Sequence, residues 1–339
     1  VTTSAPGIRR RSLLSAGLGT GIAGLLVACG SGAASMSADS RAARTVEAPD
    51  PDVPVRARAL AATRALAARY DAVMAAFPAA AGRLNPLRAQ LAVQETAFGA
   101  VAPPSASAPA SAPASASGSD PASGTPSPSA TAPASRSMAV AALDAAEQAT
   151  AQARLKDLAA ASPALARQLA SAAACGAQHS MLLRHSVPAG PAAAPLTRTA
   201  LPAAALAALQ AALAAEDAAV YAYGVVGAQL GGSGRDRATA SYQAHRDRRG
   251  ALQQRISATG ATPVGAAPAY RLPSPVTDAA SAVRLAALVE ERICAVYANA
   301  VQATSGALRA TMAAELRQAA LSTLAWRGSG SAFPGLTHD

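Results

Sequence analysis

Residues 203–231 read AAALAALQAALAAEDAAVYAYGVVGAQLG, and this stretch decides the fold. Leu206, Leu209, Leu213, Glu216, Val220 and Tyr223 recur at steps of three and four, which places them on one face of a helix. By count the run is membrane-like. It is mostly alanine, however, contains Gln210 and passes into Glu216 and Asp217, so it reads as a bundle helix and not a span. The pattern predicts four helices over 203–230, 235–259, 277–304 and 307–327, punctuated by Gly231-Gly232, Gly260 and the opening Thr277-Asp278.

A Pro-rich connection, Ala261 to Val276, separates the second helix from the third. Two hairpins joined by one long crossover is the connectivity of ferritin-like four-helix bundles, distinct from simple up-down bundles. Upstream, helical patterns cover 55–76, 82–100, 138–160 and 163–186, with Leu84, Leu87 and Leu91 forming a buried stripe. The fold class is therefore all-α: a ferritin-like bundle at 203–327 with a tail at 328–339, preceded by a second helical bundle or hairpin region at 55–186. A Pro-Ala-Ser tract over 102–137 interrupts that region; it cannot bury enough apolar area and should be disordered. Residues 187–202 form another Pro-rich linker.

The first thirty residues point to export. Arg9, Arg10 and Arg11 precede Ser12-Leu13-Leu14 and an apolar run to Ala28, the layout of a secretory signal. Arg10-Arg11 followed by x-Leu-Leu resembles a twin-arginine signal, although the Sec route tolerates the same residues. Position 1 is Val, read as the literal translation of an alternative start codon, so the precursor is expected here. Leu26-Val27-Ala28-Cys29 resembles the bacterial lipobox, which implies cleavage after residue 28 and diacylglycerol on Cys29. The expectation is a chain held at the outer face of the cytoplasmic membrane, with 29–54 as a flexible tether. The apolar run is short of the ~20 residues that a span needs. Gly19-Thr20-Gly21-Ile22-Ala23-Gly24 fits G-x-G-x-x-G, but no strand precedes it and the segment is removed.

The chain carries 29 basic and 19 acidic side chains; without the three signal arginines, 26 basic residues against 19 acidic leave +7. That charge could dock the body on anionic lipid or an anionic envelope polymer. Export and the scarcity of aromatic residues (Trp 1, Tyr 6, Phe 3) argue against nucleic acid, which needs stacking platforms. Lys156 is the one lysine, and the Arg, Ala, Gly and Pro bias is that of a GC-rich genome. After Cys29, Cys175 and Cys294 remain. They could pair in an exported chain, but small buried thiols are commoner inside helices.

Each distal helix turns at least one ionisable group inward: Glu216 and Tyr223; His245, Arg249 and, one step around, Arg248; Glu290 and Tyr297; Glu315. A buried carboxylate needs a partner, either a metal or a cation. A di-metal bundle takes a Glu from each of two helices and a Glu-x-x-His from each of the other two. Here Tyr242 stands three before His245 and Gln318 three after Glu315, so neither pair is intact. A salt-bridge network is the preferred reading. An altered site for iron, manganese or zinc on Glu216, His245, Glu290 and Glu315 is the alternative, and acid-base catalysis ranks third. Tyr221, Tyr223 and Tyr297 are expected to be core aromatics bonding these carboxylates. His179 is expected near Gln90 or Glu95. The arginines at 235, 237, 246, 249 and 255 read as a solvated face. The mature chain has no Gly-x-Ser-x-Gly, Cys-x-x-Cys, P-loop or His-Glu-x-x-His.

The stretches Glu216-Asp217-Ala218-Ala219-Val220-Tyr221-Ala222-Tyr223-Gly224, Ala244-His245-Arg246-Asp247-Arg248-Arg249 and Pro268-Ala269-Tyr270-Arg271-Leu272-Pro273, with the ending Trp326-Arg327-Gly328 and Phe333-Pro334-Gly335-Leu336, resemble the ferritin-like domain of unknown function in exported lipoproteins of high-GC Gram-positive bacteria. The resemblance spans about 200–336. It implies a four-helix ferritin-like bundle and no established activity, and the missing Glu-x-x-His pairs keep iron storage or ferroxidase chemistry from following with it. The N-terminal helices are similar to the variable companion region of such lipoproteins. The leading expectation is thus a non-enzymatic envelope lipoprotein with a binding or structural role, its protein partner unknown; a metal-binding or redox bundle is the alternative.

Overall fold

The computed structural model describes residues 50–99, 135–184 and 200–336. The expected signal, Cys29, most of its tether, nearly all of the Pro-Ala-Ser tract and most of the second linker lie outside them. Among the described residues the fold is all-helical: α1 (Asp52–Ala76), α2 (Ala81–Gly99) after one 3-10 turn at Pro78–Ala80, α3 (Arg136–Asp157), α4 (Pro163–Arg184), α5 (Ala203–Ala228), α6 (Gly232–Ala258), α7 (Ala279–Ala303) and α8 (Gly306–Arg327).

Local chemistry sets the boundaries. Pro78 follows the last turn of α1, and Pro163 opens α4, where its missing N–H is no loss. Asp278 and Ser281 form a reciprocal capping box on α7. Gly328, at φ +78°, is the left-handed stop of α8. Gln210, the polar residue that argued against a membrane span, clamps the crossover: its amide donates to the Thr262 carbonyl at 2.8 Å and accepts from the Val264 N–H at 2.8 Å. By length and composition alone α5 could cross a membrane, yet Glu216, Asp217 and Tyr223 on it are buried in the bundle.

The chain makes the same layout twice. α1 pairs with α2, α3 with α4 and α1 with α3; likewise α5 pairs with α6, α7 with α8 and α5 with α7. α3 and α7 begin at 136 and 279, α4 and α8 at 163 and 306, and α4 and α8 end at 184 and 327; every pair is 143 residues apart. The same interval relates the buried Glu147 to Glu290, Leu169 to Met312 and Ala170 to Ala313. Each half is therefore a hairpin, a long crossover and a second hairpin around its own third-helix glutamate.

The halves share one core. α4 lies against α7 and α8, and one apolar cluster includes Leu165 and Leu169 of α4 with Leu209 and Leu213 of α5, Val301 of α7 and Met312 and Leu316 of α8. Alanines such as Ala166, Ala172, Ala313 and Ala320, all buried, let the helices approach closely.

The segment after α8 ties the halves together. Gln94 of α2 donates to the Ala332 carbonyl at 2.9 Å, Ser171 of α4 to the Pro334 carbonyl at 2.8 Å, and the Ser331 N–H to Gln178 Oε1 at 3.2 Å. Phe333 packs edge-on against Phe98 of α2, with centroids 6.0 Å apart. Gly335 (φ +77°) lies so close to α7 that a Cβ would collide with the Cys294 carbonyl. Gly335→Ala is therefore expected to lower the unfolding free energy by about 2–4 kcal/mol, combining left-handed strain with backbone displacement. Thermal unfolding followed by circular dichroism checks this; an unchanged midpoint would show that the segment is not a tie.

Candidate functional site

The distal core is built around His245. Its Nδ1 lies 2.6 Å from Glu216 Oε2 and its Nε2 3.2 Å from Glu290 Oε1. All three residues are 0% exposed. With both carboxyls ionised, the ring satisfies both contacts by donating from both nitrogens, as the imidazolium. Burial opposes this charge, but the hydrogen bonds and charges of Glu216 and Glu290 outweigh it and raise the His245 pKa.

Two tyrosines close the network. Tyr223 donates to Glu290 Oε1 at 2.6 Å and Tyr297 to Glu216 Oε1 at 2.7 Å, while the Tyr223 ring stacks on His245 at 5.1 Å. Burial, reinforced by the adjacent carboxylates, pushes both phenols well above the ordinary tyrosine range, so they remain donors. Arg248 supplies the second cation, 3.9 Å from Glu216 and 3.9 Å from Glu315. Glu315 is half-buried, and burial raises its pKa. Two buried carboxylates thus face one imidazolium and one guanidinium. The interior is near neutrality, which avoids the large penalty of an unpaired buried charge.

Not every residue falls where the spacing put it. Arg249 is not beside Glu216 or Glu290; it faces Asp217 at 3.7 Å, one residue along α5 and so on a different face. Tyr221 is no core aromatic: it is 38% exposed and packs on Tyr270 of the crossover at 5.5 Å, because the inward face of α5 takes Tyr223. Within the arginine run, Arg237 covers Trp326 at 5.3 Å and donates to the Ala325 carbonyl at 2.8 Å, while Arg246 covers Tyr242 at 5.7 Å. Cys175 and Cys294 are buried free thiols in separate halves. Burial pushes the Cys294 thiol up to about 12.

The N-terminal half holds a counterpart. His179 Nδ1 lies 2.6 Å from Glu147 Oε1, and Tyr70 donates to the same oxygen at 2.8 Å. His179 Nε2 faces Gln90 Oε1 at 3.1 Å, with Cys175 Sγ 3.4 Å away. Here too both ring nitrogens meet acceptors. Glu95, the other neighbour considered for His179, pairs with Arg88 instead, at 3.3 Å. Burial opposes the charge on His179, but Cys175 and Glu147 outweigh it and push the pKa up to about 10. Arg154 completes the cluster by donating to Thr63 Oγ1, Gln94 Oε1 and the Ala172 carbonyl, each at 2.9 Å.

The two clusters correspond in part. Tyr70 on α1 matches Tyr223 on α5, and Glu147 on α3 matches Glu290 on α7. The histidine comes from the fourth helix in one half and from the second in the other. The remaining oxygen of each third-helix glutamate, Glu147 Oε2 and Glu290 Oε2, is buried without a hydrogen-bond partner. Spacing pointed to the distal cluster. It missed Tyr70 and Glu147, of which Glu147 would have been revealed by the recurrence of a core Glu at 143 residues.

As a metal centre the arrangement is unsuitable. A metal-bound histidine gives one nitrogen to the ion and keeps the other for an outer partner, whereas both nitrogens of His245 are taken by carboxylates. Among the described residues no group of three or more His, Cys, Asp or Glu side chains is disposed to hold an ion.

Residues 208–338 match the model of a domain of unknown function, DUF4439. A conserved hypothetical protein, rv2844, from Mycobacterium tuberculosis, known from a crystal structure, is 32% identical, over 37% of this chain and 89% of that one, with a TM-score of 0.36. Residues 208–338 belong to the DUF4439 family. No curated protein matches the chain. The DUF4439 region contains the whole Glu216, His245 and Glu290 network and the segment that ties it to α2 and α4, whereas the Glu147 cluster lies outside it.

The raised histidines fix a pH dependence. A histidine whose folded pKa exceeds its unfolded 6.5 stabilises fully below 6.5 and loses that contribution as pH climbs through the folded value. Stability should therefore decline from about pH 6.5 towards the value near 10 for His179, by up to about 1.4 kcal/mol per pH unit for each histidine. Below about pH 9 the loss belongs to the histidines, because an unfolded thiol ionises only near 9.0. Urea midpoints across this range check it: His179→Gln should flatten the slope, and an unaltered slope would contradict the imidazolium assignment.

Proposed function

We propose that this chain is an exported lipoprotein, anchored to the outer face of the cytoplasmic membrane through diacylglycerol on Cys29, whose helical body serves a binding or structural role without enzymatic chemistry. In this reading the DUF4439 region is a ferritin-like bundle in which an ion network occupies the position of a di-metal centre. The carrying observation is the double engagement of His245, whose two nitrogens are held at 2.6 and 3.2 Å by carboxylates, themselves capped by Tyr223 and Tyr297. In such a cluster both nitrogens of His245 are already engaged, so the imidazole is not free to take a substrate proton. It fixes helix register instead, because sliding α6 by one residue would separate a buried cation from two buried anions.

The sequence Arg10-Arg11, the apolar run and Leu26-Val27-Ala28-Cys29 support export and anchoring. Two acyl chains at ~0.8 kcal/mol per buried methylene make release negligible. Cys29→Ser should move the protein from the membrane fraction to the soluble one; unchanged membrane association would remove the anchor from this account.

The non-metal reading is tested separately. The purified chain should carry iron, manganese and zinc well below one equivalent by elemental analysis. Stoichiometric metal that disappears on Glu216→Ala would replace the ion network with a working centre.

A further inference from the structure

A cavity of about 530 Å³ opens where α3 and α4 of the first half meet α8 of the second, well within the size range of small-molecule sites. Alanines make its wall: Ala151, Ala173, Ala174, Ala177, Ala313 and Ala314 all face it. Two hydrogen bonds fix the spacing of the helices there. At one end Arg309 of α8 donates to the Leu158 carbonyl at 2.8 Å, and at the other Gln178 of α4 donates to the Ala320 carbonyl at 2.7 Å. With both ends pinned and mostly alanine methyl groups facing one another between them, the hollow stays open.

Polar groups distinguish it from a packing gap. Ser180, 1% exposed, lines the cavity, and its hydroxyl has no hydrogen-bond partner. A buried hydroxyl in that state is unfavourable until something bonds it. Arg317 and Lys156 also line the cavity. Burial holds the Arg317 guanidinium below its ordinary pKa, so the wall carries a partly desolvated cation, which favours an anion. The two pins set the level of these groups. α4 and α8 run parallel, with residue 178 beside 320, so Ser180 and Arg317 differ by about five residues, or ~7.5 Å along the axis. From Ser180 back to Ala170, also in the wall, is ten residues, or ~15 Å.

We propose that this cavity binds a single-chain amphiphile with an anionic head, a carboxylate or a phosphate. The head sits at Arg317 with Ser180 donating to it, and a medium-length alkyl chain runs along the alanine wall towards Leu158 and Ala170. Lys156 faces the opposite end of the wall and is not needed for the head. The site is formed jointly by the two halves, which gives the fused double bundle a use that neither half has alone. It does not depend on where the chain resides or on the metal-free reading of the His245 network.

The test is calorimetric titration of the whole chain carrying Cys29→Ser with dodecanoate, dodecyl phosphate and dodecanol, each below its micellar concentration. One equivalent of an anionic ligand should bind, and the tighter of the two anions identifies the head. Arg317→Gln should weaken both anions at least tenfold while leaving the weaker dodecanol binding unchanged. Ala314→Leu, at a half-buried wall position, should abolish binding of all three with the helical circular dichroism intact. Absence of binding by both anions, or binding untouched by either substitution, would overturn the proposal.

Discussion

The structure rests on carboxylates that are buried and yet charged. In a dry interior a lone carboxylate would take up a proton or open the core to water. This chain gives Glu216 and Glu290 a histidine whose two nitrogens face them from both sides, with Arg248 behind it. The attraction is strong because the dielectric is low, and it is directional because the ring offers its donors along two fixed lines. That directionality is what an alanine-rich core lacks. Methyl groups pack in many registers; Glu216, His245, Tyr223, Glu290 and Tyr297 meet in one.

The same solution appears twice, with a different helix supplying the histidine. Glu147 and Glu290 hold matching places on α3 and α7, and Tyr70 and Tyr223 donate to them from matching first helices. His179 approaches from α4 and His245 from α6. The constraint is therefore on the charge at the centre and not on the helix that brings it. The halves differ in the seventh residue after the glutamate: Tyr297 in one, Arg154 in the other. Arg154 reaches Gln94, which itself holds the terminal segment, so the first cluster is linked to the contact between the halves.

Much of this was legible in the sequence, for identifiable reasons. Apolar steps of three and four located the eight α-helices of the described residues, and they placed Glu216 and Glu290 inward because a carboxylate within an apolar stripe has nowhere else to point. The absence of both Glu-x-x-His pairs pointed to cations as partners, and His245 and Arg248 lie beside these carboxylates. Arg249 was misplaced because neighbouring positions on a helix are only 100° apart, and spacing alone cannot choose between adjacent arginines; Tyr221 lies two residues from Tyr223, on the far side of α5, and was counted inward against the spacing itself. The terminal segment was illegible for another reason. Its ties are backbone carbonyls of Ala332 and Pro334 meeting Gln94 and Ser171, and no side-chain pattern announces a carbonyl acceptor. The joint core was likewise hidden, since α4 is apolar on most of its circumference and its partner is fixed by tertiary packing.

The most direct measure of the central interaction is the nitrogen spectrum of the two buried rings. With histidines labelled by ¹⁵N, His245 should keep both ring nitrogens protonated as pH rises past 6.5, where a free imidazole loses its proton. A neutral ring, with one nitrogen bearing no hydrogen, would mean that one of the carboxylates has taken the proton, and the charge network would not exist in the form described.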